Sequence, residues 1–424
     1  MKKVNEIKKG GLSGELILPP SKSHTLRALF FALMASGESK IENPLLSSDA
    51  TSMIKAIEAL GAIVKKVQKG LLIKGVDKKL KTPSDVIDCG NSGITLRFIT
   101  AISSLLSSYA ILTGDHSIRH QRPMESLLNA LQSLGAFAVS SKLDGHAPII
   151  IKGPAYSALS SVDGEDSQLV SALLILGAFL EKGIEIEVRN PKELPWIDMT
   201  LFWLRKFSIN VINNNYTFYQ VFPIQSISGF LYKVPSDWSQ AAFFIAAAAI
   251  TQSNITLIGL DLDDAQGDKI VLEIFKKMGV DFDYDKENLK LTVKPSVGLK
   301  AVEVDMDQCI DALPILAVIG SQAKGKTRLY NAAICRKKES NRIEVIASEL
   351  KKMGAKIEVS FDELIIHQSP LFFAEVDSYH DHRIAMALSI AGLVSKGGVI
   401  INHPECVKKT YPLFFEDLQG LISK

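Results

Sequence analysis

An α/β fold in two domains, each holding three copies of one unit, is what this 424-residue sequence predicts. Three observations carry that expectation. The length exceeds what one ordinary core accommodates, so two domains of about 200 residues are the prior. An amphipathic helix that stops on an apolar residue plus glycine, followed by a short strand, recurs along the chain. Between these helices lie short apolar, β-branched runs, so each unit contains both helix and strand.

The recurring helix first runs from Met53 to Leu60, stops at Gly61 and passes into Ala62-Ile63-Val64. It returns at Leu127 to Leu134 with Gly135, and in degenerate form at Leu201 to Phe207, with Ser208 where glycine is expected. Further copies are Leu272 to Met278 with Gly279, and Val345 to Met353 with Gly354; a helix near Pro412 to Leu421 is expected as the sixth. The stops are about 71 to 75 residues apart. Glycine after the last apolar turn is the usual left-handed helix stop. Its recurrence implies one supersecondary unit used about six times, with a longer period than common solenoid repeats. Strands are expected at 70–73, 109–113, 149–151, 184–188, 217–221, 255–258, 289–293, 327–330, 363–366 and 399–401. Val234-Pro235-Ser236-Asp237 reads as a crossover near the middle.

With 47% hydrophobic and 22% charged residues, the composition is that of a globular protein. A net charge of +2 supplies no global field for nucleic acid or an anionic membrane, so any anion site requires local clustering. Cys89, Cys309, Cys335 and Cys406 are far apart and form no Cys-x-x-Cys pair, which argues against a zinc site or disulfide scaffold and fits a reducing compartment. The basic segment Met1 to Gly11 precedes no long apolar run, so no signal peptide is expected. Apolar runs such as Ala241 to Ile250 are too short to span a bilayer. The expected location is the cytoplasm, with neither nucleic acid nor membrane as partner.

The chain's chemistry gathers at helix entrances. Pro20-Ser21-Lys22-Ser23-His24-Thr25-Leu26-Arg27 follows a strand-like segment. A helix is expected from near Ser23 through Leu33, with Ser23 as its N-cap and Lys22 just outside the first turn. Ser23 and Arg27 are four apart and share a face. A hydroxyl, two cations and a helix N-terminus suit an anion, though a capped surface helix has the same pattern. In Asp88 to Arg97, Gly90 and Gly93 allow close backbone approach to a ligand; Gly-Asn-Ser-Gly is also an ordinary turn. Gly114 to Met124 reads as a polar loop whose Arg122 can grip a carboxylate or phosphate. Asp311, before an apolar helix, is either an N-cap or a partly desolvated base. In Arg336 to Arg342, Lys338 and Arg342 are expected on one face, and Glu339 sits among cations. His380-Asp381-His382-Arg383 opens another helix, and Lys408-Lys409-Thr410 precedes the last. Lys22, Arg122, Lys338, Arg342, Arg383 and Lys409 thus stand at helix entrances in both halves, as a cleft for a highly anionic small molecule requires.

Pro20 to Arg27, Gly90 to Gly93, Gly114 to Met124, Lys338 to Arg342 and Asp381 to Met386 resemble, in order, the motifs of the enolpyruvyl transferases, most closely the branch acting on shikimate 3-phosphate. The similarity runs from about Gly11 to Leu418. The resemblance implies a two-domain inside-out α/β barrel of six βαβαββ-type repeats. Residues 1–19 with 238–424 would form one domain and 20–237 the other, with the active site in the cleft between them. It implies transfer of the enolpyruvyl group of phosphoenolpyruvate to the 5-hydroxyl of shikimate 3-phosphate, by a monomer without cofactor or metal. By position in the motifs, Lys22, Gly93, Arg122, Gln168, Arg342, Arg383 and Lys409 would hold phosphoenolpyruvate. Lys22, Ser23, Arg27, Ser167, Gln168, Asp311 and Lys338 would hold the acceptor. Asp311 would take the hydroxyl proton, and Glu339, helped by Lys22, would protonate the methylene carbon. The chain departs from the family at Asp166, where serine is usual, and at Glu193, where some members carry serine; carboxylates there repel a phosphate unless paired or turned away. Ile94 replaces a common threonine and is expected to narrow the donor pocket, weakening glyphosate binding. Ser117 lies in a loop where the sister branch acting on UDP-N-acetylglucosamine carries cysteine. Two alternatives are an enolpyruvyl transferase for another cyclic hydroxy acid, and a non-catalytic anion binder on the same scaffold.

Overall fold

The computed structural model describes residues 4–422. The chain divides into two compact units, Pro20–Val234 and Met1–Pro19 with Pro235–Lys424. Three sheets of one plan occur in each. In the first unit they are centred on strands Glu38–Glu42, Tyr109–Thr113 and Ile184–Arg189. In the second they are centred on Asn254–Ile258, Lys326–Tyr330 and Lys396–Asn402. Each central strand pairs in parallel with one neighbour and antiparallel with another. In five of the six sheets a hairpin adds a fourth strand. The first unit closes its Glu38–Glu42 sheet with Leu231–Lys233. The second unit takes Ser13–Ile17 and Val4–Ile7 into two of its sheets, which is why the N-terminal segment belongs there.

Two kinds of helix serve these sheets. The amphipathic ones are those the repeat predicts: Ser48–Ala59, Glu125–Ser133, Leu194–Lys206, Val271–Lys277, Arg342–Lys352 and Phe414–Leu421. Gly61, Gly135, Gly279 and Gly354 follow them at φ of 108°, 88°, 91° and 98°. Ser208 takes the same left-handed place at φ 57°, so the degenerate copy keeps its geometry without glycine. The other kind is apolar nearly all round and buried: Lys22–Met34, Gly93–Ser103 and Ser167–Gly177 in one unit, Trp238–Thr251, Leu313–Gln322 and His382–Gly392 in the other. Helices without a polar face have to sit inside the core. Side chains cap five of these six helices: Ser21, Ser92, Asp166, Asp237 and Asp381.

The structure corrects several local expectations. Ser21, not Ser23, caps the first buried helix, and Lys22 is its first helical residue. Ser21 precedes the helix with extended backbone, and its side chain accepts from the His24 amide, as an N-cap does. The 114–124 segment is not all loop, because Asp115 caps a short helix, His116–His120. Asp311 is no cap; it lies in a 3-10 turn, Ile310–Ala312, before Leu313–Gln322. Lys338 precedes the Arg342–Lys352 helix, so it shares no helical face with Arg342.

In the first unit, Trp203 joins two helices to the closing strand. Its ring stacks on Phe31 at 5.6 Å between centroids and meets Tyr232 at 4.6 Å. Its buried indole N–H donates to His24 Nδ1 at 3.0 Å, the kind of partner a buried tryptophan needs. Trp203→Ala is expected to cost about 3–5 kcal/mol of stability, read as a lower urea midpoint by circular dichroism, and Trp203→Phe less.

Candidate active site

In the unit Pro20–Val234, Lys22, Ser23, Gly93, Ser167 and Gln168 lie at the entrances of the three buried helices, and Arg122 lies on the segment before Glu125–Ser133. Lys22 Nζ is 3.8 Å from Asp49 Oδ2, and both side chains are largely buried. Arg27, 1% exposed, donates to Thr200 Oγ1 through Nε at 3.2 Å and Nη2 at 2.8 Å, and to the carbonyls of Ser23 and Trp196. All these acceptors are neutral. Burial without a carboxylate pushes the Arg27 guanidinium down to about 9, still cationic at neutral pH. Such a cation is stabilised by an incoming anion.

Gly93 opens the second buried helix against three side chains at once. A Cβ there would lie 2.7 Å from Arg97 Nη1, 3.0 Å from Gln168 Oε1 and 3.8 Å from Arg122 Nη1. Gly93, Arg122 and Gln168 are therefore together, and the motif's last residue, Arg97, belongs with them. Arg97 is buried, and its Nε and Nη1 have no hydrogen-bond partner among the described residues. Burial, opposed by Asp166 and reinforced by Arg122, holds Arg97 below its ordinary value.

The two departing carboxylates are occupied. Asp166 Oδ1 accepts from the Gln168 amide at 3.0 Å, and Oδ2 from Arg97 Nη2 at 2.9 Å. Glu193 Oε2 accepts from Ser167 Oγ at 2.7 Å and from the Ser167 amide at 3.2 Å. Pairing answers the repulsion expected from Asp166. Glu193 instead claims the hydroxyl expected to serve the acceptor. Ile94 is buried in the hydrophobic core of this unit.

In the other unit the expected residues form one network around Arg342, which is 1% exposed. Its Nη1 donates to Asp311 Oδ1 at 2.7 Å, Nη2 to Glu339 Oε2 at 2.7 Å and Nε to Asp381 Oδ2 at 2.8 Å. Arg383 Nη2 donates to Asp311 Oδ2 at 2.7 Å, and Lys409 Nζ to Glu339 Oε1 at 2.7 Å. Asp311 and Glu339 are each bridged by two cations. Burial alone would lower Arg342; Asp381, Glu339 and Asp311 outweigh it and hold the guanidinium well above its ordinary value. Lys338 is buried beside this run at 6% exposure. Asp381 was legible from its place in the Asp381 to Met386 motif, but its pairing with Arg342 and Ser340 was not. Asp49 and Asp268 carried no motif signal.

Comparison with known proteins decides what the motifs belong to. A family model described as EPSP synthase (3-phosphoshikimate 1-carboxyvinyltransferase) matches residues 7–418. The chain belongs to the EPSP synthase family. A 3-phosphoshikimate 1-carboxyvinyltransferase of Ruminiclostridium cellulolyticum is 39% identical over 415 residues, 98% of this chain and 97% of the relative. One of Chlamydia pneumoniae is 42% identical over 408 residues, covering 96% and 90%. A solved EPSP synthase from Acinetobacter baumannii is similar at TM-score 0.83 and 28% identity, covering 100% of this chain and 98% of that one. The enolpyruvyl transferase NikO from Streptomyces tendae shares the fold at TM-score 0.78 and 18% identity, covering 99% and 97%.

One buried carboxyl of this EPSP synthase family chain stands apart from the ion pairs. Asp268 accepts from Ser239 Oγ at Oδ2, while Oδ1 has no hydrogen-bond partner. Burial first, then the charge of Asp311, pushes its carboxyl up to about 7, with Arg383 pulling the other way. The folded value lies above the ordinary 3.8, so between the two the native state keeps a proton that the unfolded chain releases. Stability from this group is complete below about pH 4 and is lost as pH rises toward 7, at up to ~1.4 kcal/mol per pH unit. Asp268→Asn is expected to remove that slope, seen as a difference from the parent in urea midpoints between pH 4.5 and 7.5.

Proposed function

We propose that the chain transfers the enolpyruvyl group of phosphoenolpyruvate to the 5-hydroxyl of shikimate 3-phosphate and releases phosphate. The observation that carries this is the placement of Asp311 and Glu339, each bridged by two cations within one buried network. A pure anion binder needs the cations but gains nothing from two carboxylates that weaken them. An addition–elimination reaction needs both a base and an acid.

In this reading the donor's carboxylate and phosphate are taken by Lys22, Gly93, Arg122 and Gln168 of one unit and by Arg342, Arg383 and Lys409 of the other. Both units then serve one cleft, in the inside-out barrel arrangement of the family. Arg27 and Ser23 take the acceptor's carboxylate, Lys338 its ring hydroxyls, and Ser167 with Gln168 its phosphate. Asp311 accepts the hydroxyl proton as that oxygen bonds to C2 of the donor, while Glu339, assisted by Lys22, delivers a proton to C3. The tetrahedral adduct keeps its phosphate and carboxylate charges, which fixed cations stabilise. Return of a C3 proton to Glu339 and cleavage of the C2–O bond to phosphate complete the transfer. The chain's own residues supply every step, and the reaction is assigned to the cytoplasm.

Phosphate release in the presence of both substrates tests this. Asp311→Asn and Glu339→Gln are each expected to lower kcat about 10²–10⁴-fold. Phosphate release only with another cyclic hydroxy acid would reject the acceptor, and binding of both substrates by the parent without turnover would reject the chemistry. Gly93→Ala puts a methyl 2.7 Å from Arg97 Nη1 and 3.0 Å from Gln168 Oε1. It is expected to raise KM for phosphoenolpyruvate on the order of tenfold, as one lost charged contact does, with a smaller change for the acceptor.

A further inference from the structure

Among the described residues, one group of metal-ligating side chains stands outside the residues assigned above. His380, His403 and Glu405 each offer one ligand atom, and these atoms all lie within 4.8 Å of one another. The imidazole centroids are 4.2 Å apart. His403 Nδ1 is 3.9 Å from Glu405 Oε1, while its Nε2 is 3.8 Å from Asp377 Oδ2 on the opposite side of the ring.

The backbone holds the two histidines in place. Both have a φ of 58°, the left-handed region that non-glycine residues rarely enter. A single buried hydroxyl ties them together: Ser378 Oγ accepts from the His380 amide at 3.2 Å and donates to the His403 carbonyl at 3.0 Å. The Ser378 amide also donates to the Asn402 carbonyl. Two separate loops are thereby fixed with their imidazoles side by side.

We propose that His380, His403 and Glu405 form a site for a divalent transition-metal ion of the zinc class. Two imidazoles and one carboxylate, with a fourth position for water, are a ligand set such ions take. A tetrahedral ion with bonds of ~2.0–2.1 Å places its ligand atoms roughly 3.4 Å apart. The Nδ1–Oε1 pair at 3.9 Å closes to that spacing with about half an ångström of movement. Asp377, behind His403, is placed to accept the second imidazole N–H and orient the ring, the usual partner of a metal-bound histidine. The ion would bridge the loop that leads into Asp381 and Arg383 to the 3-10 helix Pro404–Lys409, which ends on Lys409. It would stiffen the supports of two cations without touching either.

The full chain, stripped with a chelator and titrated with Zn²⁺ by calorimetry, is expected to bind one ion per chain in the micromolar range. In the His380→Asn/His403→Asn double variant, affinity is expected to fall at least ~10-fold. Asparagine is chosen because it tolerates the left-handed conformation. Equal affinity in parent and double variant, or no binding by the parent, overturns the proposal. The parent alone supplies a second readout that does not depend on the variant folding. Zn²⁺ is expected to shield His380 and His403 from diethyl pyrocarbonate, mapped by mass spectrometry, and unchanged labelling of both overturns the site.

Discussion

Arg342 holds the second unit's chemistry together. Its guanidinium is buried and divides its donors among Asp311, Glu339 and Asp381. A buried ion pair repays its desolvation only when geometry and the remaining hydrogen bonds are good, and removing one partner leaves an uncompensated charge. Here the fork meets three carboxylates that come from different stretches of chain, so no local segment could set the geometry alone. Arg383 and Lys409 complete the set, giving three cations against Asp311, Glu339 and Asp381. The balance has a chemical consequence for the proposed reaction. A donor bringing phosphate and carboxylate charges competes with Asp311 and Glu339 for the same cations. As the ligand takes those donors, the two carboxylates lose counter-ions and become better bases. Binding and acid–base activation are then one exchange of partners.

The first unit solves a different problem. Arg27 and Arg97 are buried cations, yet Arg27 meets only neutral acceptors and Arg97 meets one carboxylate with part of its fork. Both are held below their ordinary values by burial. A site that keeps cations underpaired gains more from an anion than one whose cations are already neutralised. Asp166 and Glu193, whose charges look out of place beside a phosphate, are bound to Arg97 and to Ser167. The charge of Asp166 is thus balanced by Arg97, and that of Glu193 acts on the same guanidinium while its Oε2 accepts from Ser167's hydroxyl and amide.

Periodicity explains which parts of this fold were legible. The amphipathic helices declared themselves by spacing and by glycine stops, and even Ser208 kept the left-handed place. The ten expected strands all lie within or overlap observed ones, because each is rich in apolar and β-branched residues on both faces. The buried helices gave no period, being apolar on every side, and were located only by the polar residues at their entrances. Parallel edge strands such as Leu159–Asp163 and Glu303–Asp305 were missed because polar residues, Ser160-Ser161 in one and Glu303 and Asp305 in the other, leave no apolar run and read as loop. At the site, Lys22, Arg122, Arg342, Arg383 and Lys409 were visible as charges at helix starts. Their pairings were not: Asp381 stood only as part of a helix opening, and Asp49 and Asp268 had no local pattern at all. Apart from Glu339 and Arg342, three residues apart, these pairs join residues tens of positions apart, and spacing along the chain carries no record of that.

The caps give a physical reason why the proposed ligand contacts collect at these entrances. An α-helix leaves four N–H groups without intrahelical partners at its start. Ser21, Ser92, Asp166, Asp237 and Asp381 each accept from one of them through the side chain. That fixes where the chain turns from strand to helix while leaving other donors and the positive end of the dipole facing outward. The residue after the cap is carried into the first turn: Lys22, Gly93, Ser167 and His382 all hold that place. Glycine at this position lets an anion approach the backbone itself, lysine reaches past it, and Arg383 one step later extends a guanidinium. Repeating one strand-to-helix junction therefore multiplies a single physical device, an incompletely satisfied helix start, and the substitutions around it decide which anion group each copy can hold.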